Sequence, residues 1–207
     1  MGVLIDLAAA GLGLLAGVVV AIFLDRLYTG APLGGPVRSP MSWPGLLAPA
    51  TAALYGVAAA RAVDVRHFVL MALFGTIFLA FAATDLERHL LPNRVMYPAL
   101  ALGLALSWLW PGRSPVSGLA GGAVGLFVML LIFLVLPGFG FGDVKLEGLV
   151  GLVVGLPAVL SALLIGAILG GFGAAGLLLT RRAGMKSAIA YGPYLAGGAI
   201  IEMLLRR

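Results

Sequence analysis

The feature that most constrains this chain is the way its apolar residues run in blocks, each ending where charges, proline and glycine gather. Broken at those points, the sequence yields eight apolar segments, at about 3–24, 45–63, 67–84, 95–110, 117–137, 144–156, 157–179 and 188–205. A membrane-spanning helix needs about 20 mostly apolar residues, so segments of this size fill the 207-residue chain and leave no room for a sizeable soluble domain. With 62% hydrophobic and only 10% charged residues, the expectation is an all-α, polytopic transmembrane bundle of about eight helices. The sixth segment is short and stops at Pro157, which leaves two readings: a partial span, or a helix that runs into the seventh with a kink. The 31 glycines, dense in "GAILGGFGAAG" (166–176), suit close helix packing in lipid.

The N-terminal run carries Asp6 where a secretory signal would carry a positive cluster, and further spans follow, so it is read as the first helix. Residues 25–45 hold Pro32, Pro36, Pro40 and Pro44 among glycines, which predicts a loop. Connections after odd-numbered segments contain Arg26, Arg38, Arg88, Arg94, Lys145, Arg181, Arg182 and Lys186, whereas the other side has Arg61, Arg66, Arg113, Arg206 and Arg207. The excess of basic residues predicts that the odd connections face the cytoplasm of a plasma (inner) membrane protein. The net charge of +5 is thus read as topology, and the scatter of basic residues argues against nucleic acid as a partner. Cysteine is absent, which excludes disulfides, thiolate zinc sites and cysteine nucleophiles.

Two stretches on the predicted cytoplasmic side carry acids where apolar runs end or begin. "ATDLERHLLPNRV" (83–95) presents Asp85 after the third segment, and "GFGFGDVKL" (138–146) presents Asp143 before the sixth. Ionisable groups near hydrocarbon are costly, so they invite a functional reading. If the third and sixth helices are neighbours, the two carboxylates face each other. A carboxylate pair can share a proton, one member acting as base on a water while the other donates to a scissile carbonyl. Gly140 and Gly142 remove side chains beside Asp143, which is expected to let the backbone turn sharply and a substrate strand approach. The free amides of a helix starting at Asp143 favour an ionised carboxylate there.

"GFGD" (140–143), continued as "VKL", resembles the GxGD motif of the type IV prepilin peptidases, and "TDLERHLLPNRV" resembles the segment carrying that family's other aspartate, with Pro92-Asn93 in place after Asp85. "YGPYLAGGAI" (191–200) is similar to the family's closing helix, so the likeness covers roughly residues 70–205. The resemblance implies a membrane aspartic endopeptidase that removes the short basic leader of prepilins or pseudopilins at the cytoplasmic face. Asp85 and Asp143 would be the catalytic pair, with water as nucleophile and no metal. It further implies a peptidase core over 67–207, preceded by a two-helix region over 1–66. Many bacterial members carry a larger cytoplasmic domain with two cysteine pairs after the first helix, and methylate the new N-terminus with S-adenosylmethionine. Here that region shrinks to residues 25–45 without cysteine, so no cofactor is expected unless methylation is retained.

Lys145 reads as an interfacial anchor that snorkels to lipid headgroups. Glu147 lies one helical turn beyond Asp143, and Glu147 with Glu87 is expected to attract a positively charged leader. Pro92 and Asn93 are expected to shape the turn into the fourth helix. His89 is read as an interfacial residue, and "GFGFG" lacks the strand–turn–helix context of a nucleotide loop. The competing function is a cation- or proton-coupled transporter that binds its ion at Asp85 and Asp143.

Overall fold

A computed structural model of the chain describes residues 2–29, 43–179 and 190–206, and everything below concerns those residues. They form eight α-helices: α1 (Gly2–Thr29), α2 (Trp43–Arg61), α3 (Val65–Arg88), α4 (Asn93–Leu106), α5 (Pro115–Val135), α6 (Phe141–Val154), α7 (Ala158–Leu179) and α8 (Gly192–Leu205), with one 3₁₀ turn at Ser107–Leu109. The all-helical bundle expected from the apolar blocks is what forms.

Helix length sets two groups apart in the bundle, with the 19-residue α2 between them. Stretches of α1, α3, α5 and α7 are long and apolar enough to cross a membrane. By contrast α4, α6 and α8 have 14 residues each, about 21 Å of rise against a hydrocarbon core of about 30 Å. Consecutive helices run in opposite senses, so α4, α6 and α8 all start at one end of the bundle and leave a recess at each end. Large apolar side chains of the long helices, such as Leu15, Val19, Phe127, Leu131, Leu164 and Phe172, lie on the outside, as lipid contact requires.

Glycine sets the helix crossings. At the α5–α6 crossing the backbones meet directly: a Cβ on Gly151 would collide with the Gly121 carbonyl, and one on Gly125 would lie 2.5 Å from the Glu147 carbonyl. The core beneath is apolar and fully enclosed, with Phe74, Phe78 and Phe81 of α3 packed among Met96, Met129, Leu146 and Leu149. A smaller cluster, Ala21, Leu24 and Leu47 against Ala80 and Ala83, seats α1 and α2 on α3.

Several boundaries differ from the sequence expectation. Residues 25–29 continue α1 and 43–45 open α2, so the expected loop is shorter at both ends; Pro32, Pro36 and Pro40 lie outside the described residues. Pro44 sits in the first turn of α2, where a missing N–H costs nothing. Helix α6 begins at Phe141 and ends at Val154, and Gly155 (φ 76°) separates it from α7, so the sixth segment is a short helix of its own.

Candidate active site

Asp85 stands in the last turn of α3 and Asp143 in the first turn of α6, each 7% exposed, and both line one cleft of about 580 Å³. The route by which they meet is not the expected one. Helices α3 and α6 are not packed against each other along their lengths; α8 packs against both and joins them. The cleft opens where the N-termini of α4, α6 and α8 converge, so the positive ends of three helix dipoles surround the two carboxylates.

Each carboxylate is held by a backbone amide. The Gly192 N–H at the head of α8 donates to Asp85 Oδ2 at 2.9 Å, across 107 residues of sequence. A Cβ on Gly192 would fall 2.8 Å from that oxygen, so only glycine lets the amide come this close. The Asp85 carbonyl accepts the His89 N–H (2.8 Å), and His89 closes α3 in the left-handed region at φ 52°. Asp143 is the third residue of α6 rather than its start. Its Oδ2 accepts the Gly140 N–H at 2.9 Å while its own N–H donates to the Gly140 carbonyl at 3.0 Å, as the N3 acid of a capping box does. The charge of Asp85 is near enough to bear on Asp143, whose carboxyl pKa is raised by burial first and by Asp85 after it.

The glycines differ in role from the expectation. Gly140 has an ordinary extended backbone (φ −99°), and a Cβ there would meet nothing closer than 3.7 Å. The sharp turn falls on Gly138, whose φ of 106° only glycine adopts readily. At Gly142 space decides, because a Cβ would press on Leu91 at 3.2 Å and force the α3–α4 turn away from α6.

Lys145 does more than reach for lipid headgroups. Its Nζ donates to Asn93 Oδ1 (2.8 Å) and to the Tyr97 hydroxyl (3.2 Å), and lies 4.8 Å from the Tyr97 ring centroid. It therefore ties the head of α6 to the head of α4. Pro92 caps α4, its carbonyl accepting the Val95 and Met96 N–H groups, and Asn93 is the first residue of that helix.

Glu147 corrects the leader-attraction reading. It lies one turn below Asp143 as expected, but it is 1% exposed, lines no part of the cleft, and neither carboxyl oxygen has a hydrogen-bond partner among the described residues. A charge that pulls on a passing peptide must face the solution, and Glu147 does not. Glu87 is half-buried in the last turn of α3.

Tyr191 and Gly192 were not singled out by sequence, although "YGPYLAGGAI" held them. Tyr191 lines the cleft, stacked edge-on against Phe139 with ring centroids 4.6 Å apart. Burial, and then the charges of Asp143 and Glu147, push its phenol above the usual value, so it stays protonated. Among the described residues no three histidine or acidic side chains converge as metal ligands would.

A family model described as the Type IV leader peptidase family matches residues 71–175, which includes both aspartates. Proteins named prepilin leader peptidase/N-methyltransferase are similar. That of Bacillus subtilis (strain 168) is 28% identical over 155 residues, 74% of this chain and 62% of the relative. That of Pseudomonas putida is 33% identical over 132 residues, 61% and 46% respectively. That of Aeromonas hydrophila is 31% identical over 159 residues, 73% and 55%. The chain thus spans about half to three-fifths of the length of these curated relatives. No solved structure matches the chain.

Proposed function

The chain belongs to the type IV leader peptidase family, and on that premise we propose that it is a membrane aspartic endopeptidase that cuts the basic leader from prepilins or pseudopilins. The observation that carries this reading is the meeting of Asp85 and Asp143, remote in sequence, in one cleft at one end of the bundle. A transporter that carries an ion across would set its acids near the middle of the helices; here both lie at helix ends.

The chemistry follows from a carboxylate and a carboxylic acid side by side. The carboxylate removes a proton from a water in the cleft as the water oxygen attacks the scissile carbonyl carbon, and the acid gives its proton to the carbonyl oxygen. The resulting gem-diol collapses as a proton passes to the leaving nitrogen, the C–N bond breaks, and the pair returns to one proton between two carboxyls. The Gly192 and Gly140 amides hold the two groups during these transfers, and Tyr191, which lines the same cleft, is the side chain we assign to contacting the substrate. Water is the only co-reactant. S-adenosylmethionine enters only if the chain also methylates the freed amine, an activity named for the relatives.

The excess of basic residues in the odd connections supports a plasma-membrane protein with this cleft at the cytoplasmic face. Glu87 is then the acid we assign to attracting the leader. The test is incubation of the purified chain in detergent with a prepilin, followed by mass spectrometry of the products. Cleavage at one site, lost in both Asp85→Asn and Asp143→Asn, supports the reading; normal cleavage by either well-folded variant refutes the pair. A product heavier by one methyl group, seen only with S-adenosylmethionine, would report methylation.

A further inference from the structure

A second cavity of about 380 Å³ lies at the opposite end of the bundle. His67 lines it at the start of α3, and Asp85 stands some 18 residues further along that helix, about 27 Å away. This cavity is the recess left where α6 and α8 stop short, and it plays no part in the proposed cleavage.

Its walls are divided in character. Val153, Met203 and Trp110 form an apolar side, while Arg113, Arg206 and Ser117 form a polar one. Arg113, in the connection between α4 and α5, is tied at one corner: Nη2 donates to the Leu152 carbonyl at 2.6 Å, and the guanidinium lies 5.4 Å from the Trp110 ring centroid. Its Nε and Nη1 are buried and have no hydrogen-bond partner among the described residues. Gly155 leaves the space beside them, since a Cβ there would fall 2.7 Å from Nη1 and 2.8 Å from Ser117 Oγ. Arg206 reaches the same cavity from the end of α8, its Nε on Glu202 at 2.8 Å and its side chain 48% exposed.

Two guanidinium groups thus line one recess, and no carboxylate is among its lining residues. Burial, and next the charge of Arg206, lower Arg113 to about 10, which still leaves it cationic at neutral pH. Two cations lining one recess favour an anion there, and a phosphate offers several oxygens that can accept from both guanidinium groups at once. Trp110, in the wall of this recess, is a residue type that favours the headgroup layer of a membrane.

We propose that this cavity binds one phosphate group between Arg113 and Arg206, carried by a phospholipid headgroup whose glycerol and first acyl carbons lie on the Val153–Met203 side. Free phosphate shares the charged part of that chemistry but not the apolar part.

The full chain, delipidated in a neutral detergent, is titrated with phosphatidylglycerol, with a diacylglycerol of the same acyl chains, and with inorganic phosphate, and bound species are counted by native mass spectrometry. The expected result is one retained phosphatidylglycerol, no retained diacylglycerol, and binding weakened about tenfold or more in Arg113→Gln and in Arg206→Gln. Arg113 also holds the Leu152 carbonyl, so if Arg113→Gln fails to fold, Arg206→Gln reads the site alone. Inorganic phosphate that binds while the lipid does not would uphold the phosphate site and overturn the lipid as its source. Retention of diacylglycerol equal to that of phosphatidylglycerol, or lipid retention unchanged in Arg206→Gln, overturns the proposal.

Discussion

Gly192→Ala tests the active-site geometry without touching either aspartate. The added methyl would lie 2.8 Å from Asp85 Oδ2, 3.1 Å from its Cγ and 3.2 Å from its Cβ. Relaxed carbon contacts sit at about 3.5–4.0 Å, so the oxygen must retreat by roughly 0.7 Å or more. Rotation of the side chain cannot remove the whole clash, because Cβ is fixed to the backbone of α3. The hydrogen bond from Gly192 N, now 2.9 Å, lengthens or breaks as α8 and α3 part. Misplacement of a reacting group by about 1 Å can cost about 100-fold in rate, whereas overpacking of this size costs about 1–3 kcal/mol of stability. The expected outcome is a variant that purifies as a folded protein and cleaves a prepilin about 100-fold more slowly, by initial rates of product formation in mass spectrometry. Gly171→Ala is the control: a Cβ there meets nothing within 4 Å, so it should keep its rate and gain about 0.5–1 kcal/mol of helix stability. A folded Gly192→Ala with a rate within about threefold of the parent, well short of that 100-fold loss, would mean that the α8 amide does not position Asp85 for the reaction.

Glu147→Leu should raise stability, because it replaces a buried carboxyl lacking hydrogen-bond partners among the described residues with an apolar side chain of similar size. The gain expected is about 1–3 kcal/mol, or about 2–10 °C in the unfolding midpoint in detergent, and a lower midpoint would show that the carboxyl has a structural partner. Gly151→Ala should do the reverse, since its methyl meets the Gly121 backbone, which cannot yield as a side chain would; a loss of about 1–3 kcal/mol is expected, and an unchanged midpoint would contradict the packing of α5 on α6. Lys145→Met removes the ties to Asn93 and Tyr97. With about 1 kcal/mol of positioning lost, cleavage should slow by about five- to tenfold, and an unaltered kcat/KM would leave Lys145 with the lipid-anchor role alone.

The helices were legible because lipid imposes one rule on all of them: each apolar run must satisfy its backbone internally, so runs and helices nearly coincide. Where they part, the reason is local. Asp25 and Arg26 end the first apolar run but not α1, because polar side chains interrupt hydropathy without interrupting backbone hydrogen bonding. The two aspartates were legible from their places at the ends of runs. Their connection through α8 was not, since hydropathy says which segments are helices and nothing about which are neighbours. Glu147 shows the same limit from another side: a spacing of four residues placed it on the face of Asp143, but depth depends on what α8 and α5 place over it. Gly138 was passed over in favour of Gly140 and Gly142 because all three look alike in sequence, and only the backbone angle identifies the turn.

The hydrolysis proposed for this chain, at a membrane boundary, sets a demand that the division into long and short helices meets. A peptide bond is cut as extended backbone, and extended backbone cannot sit in hydrocarbon because its N–H and C=O groups would have no partners. Water must also reach the scissile carbon. A bundle made only of full-length spans would offer neither room nor water at the required depth. Helices α4, α6 and α8, about 21 Å long, withdraw their first turns from the surface and open the cleft among the longer helices. The heads of α8 and α6 also supply the amides, of Gly192 and Gly140, that bond Asp85 and Asp143. Under the proposed function, the helix shortening that opens the cleft to water is the same feature that brings these amides to the two carboxylates.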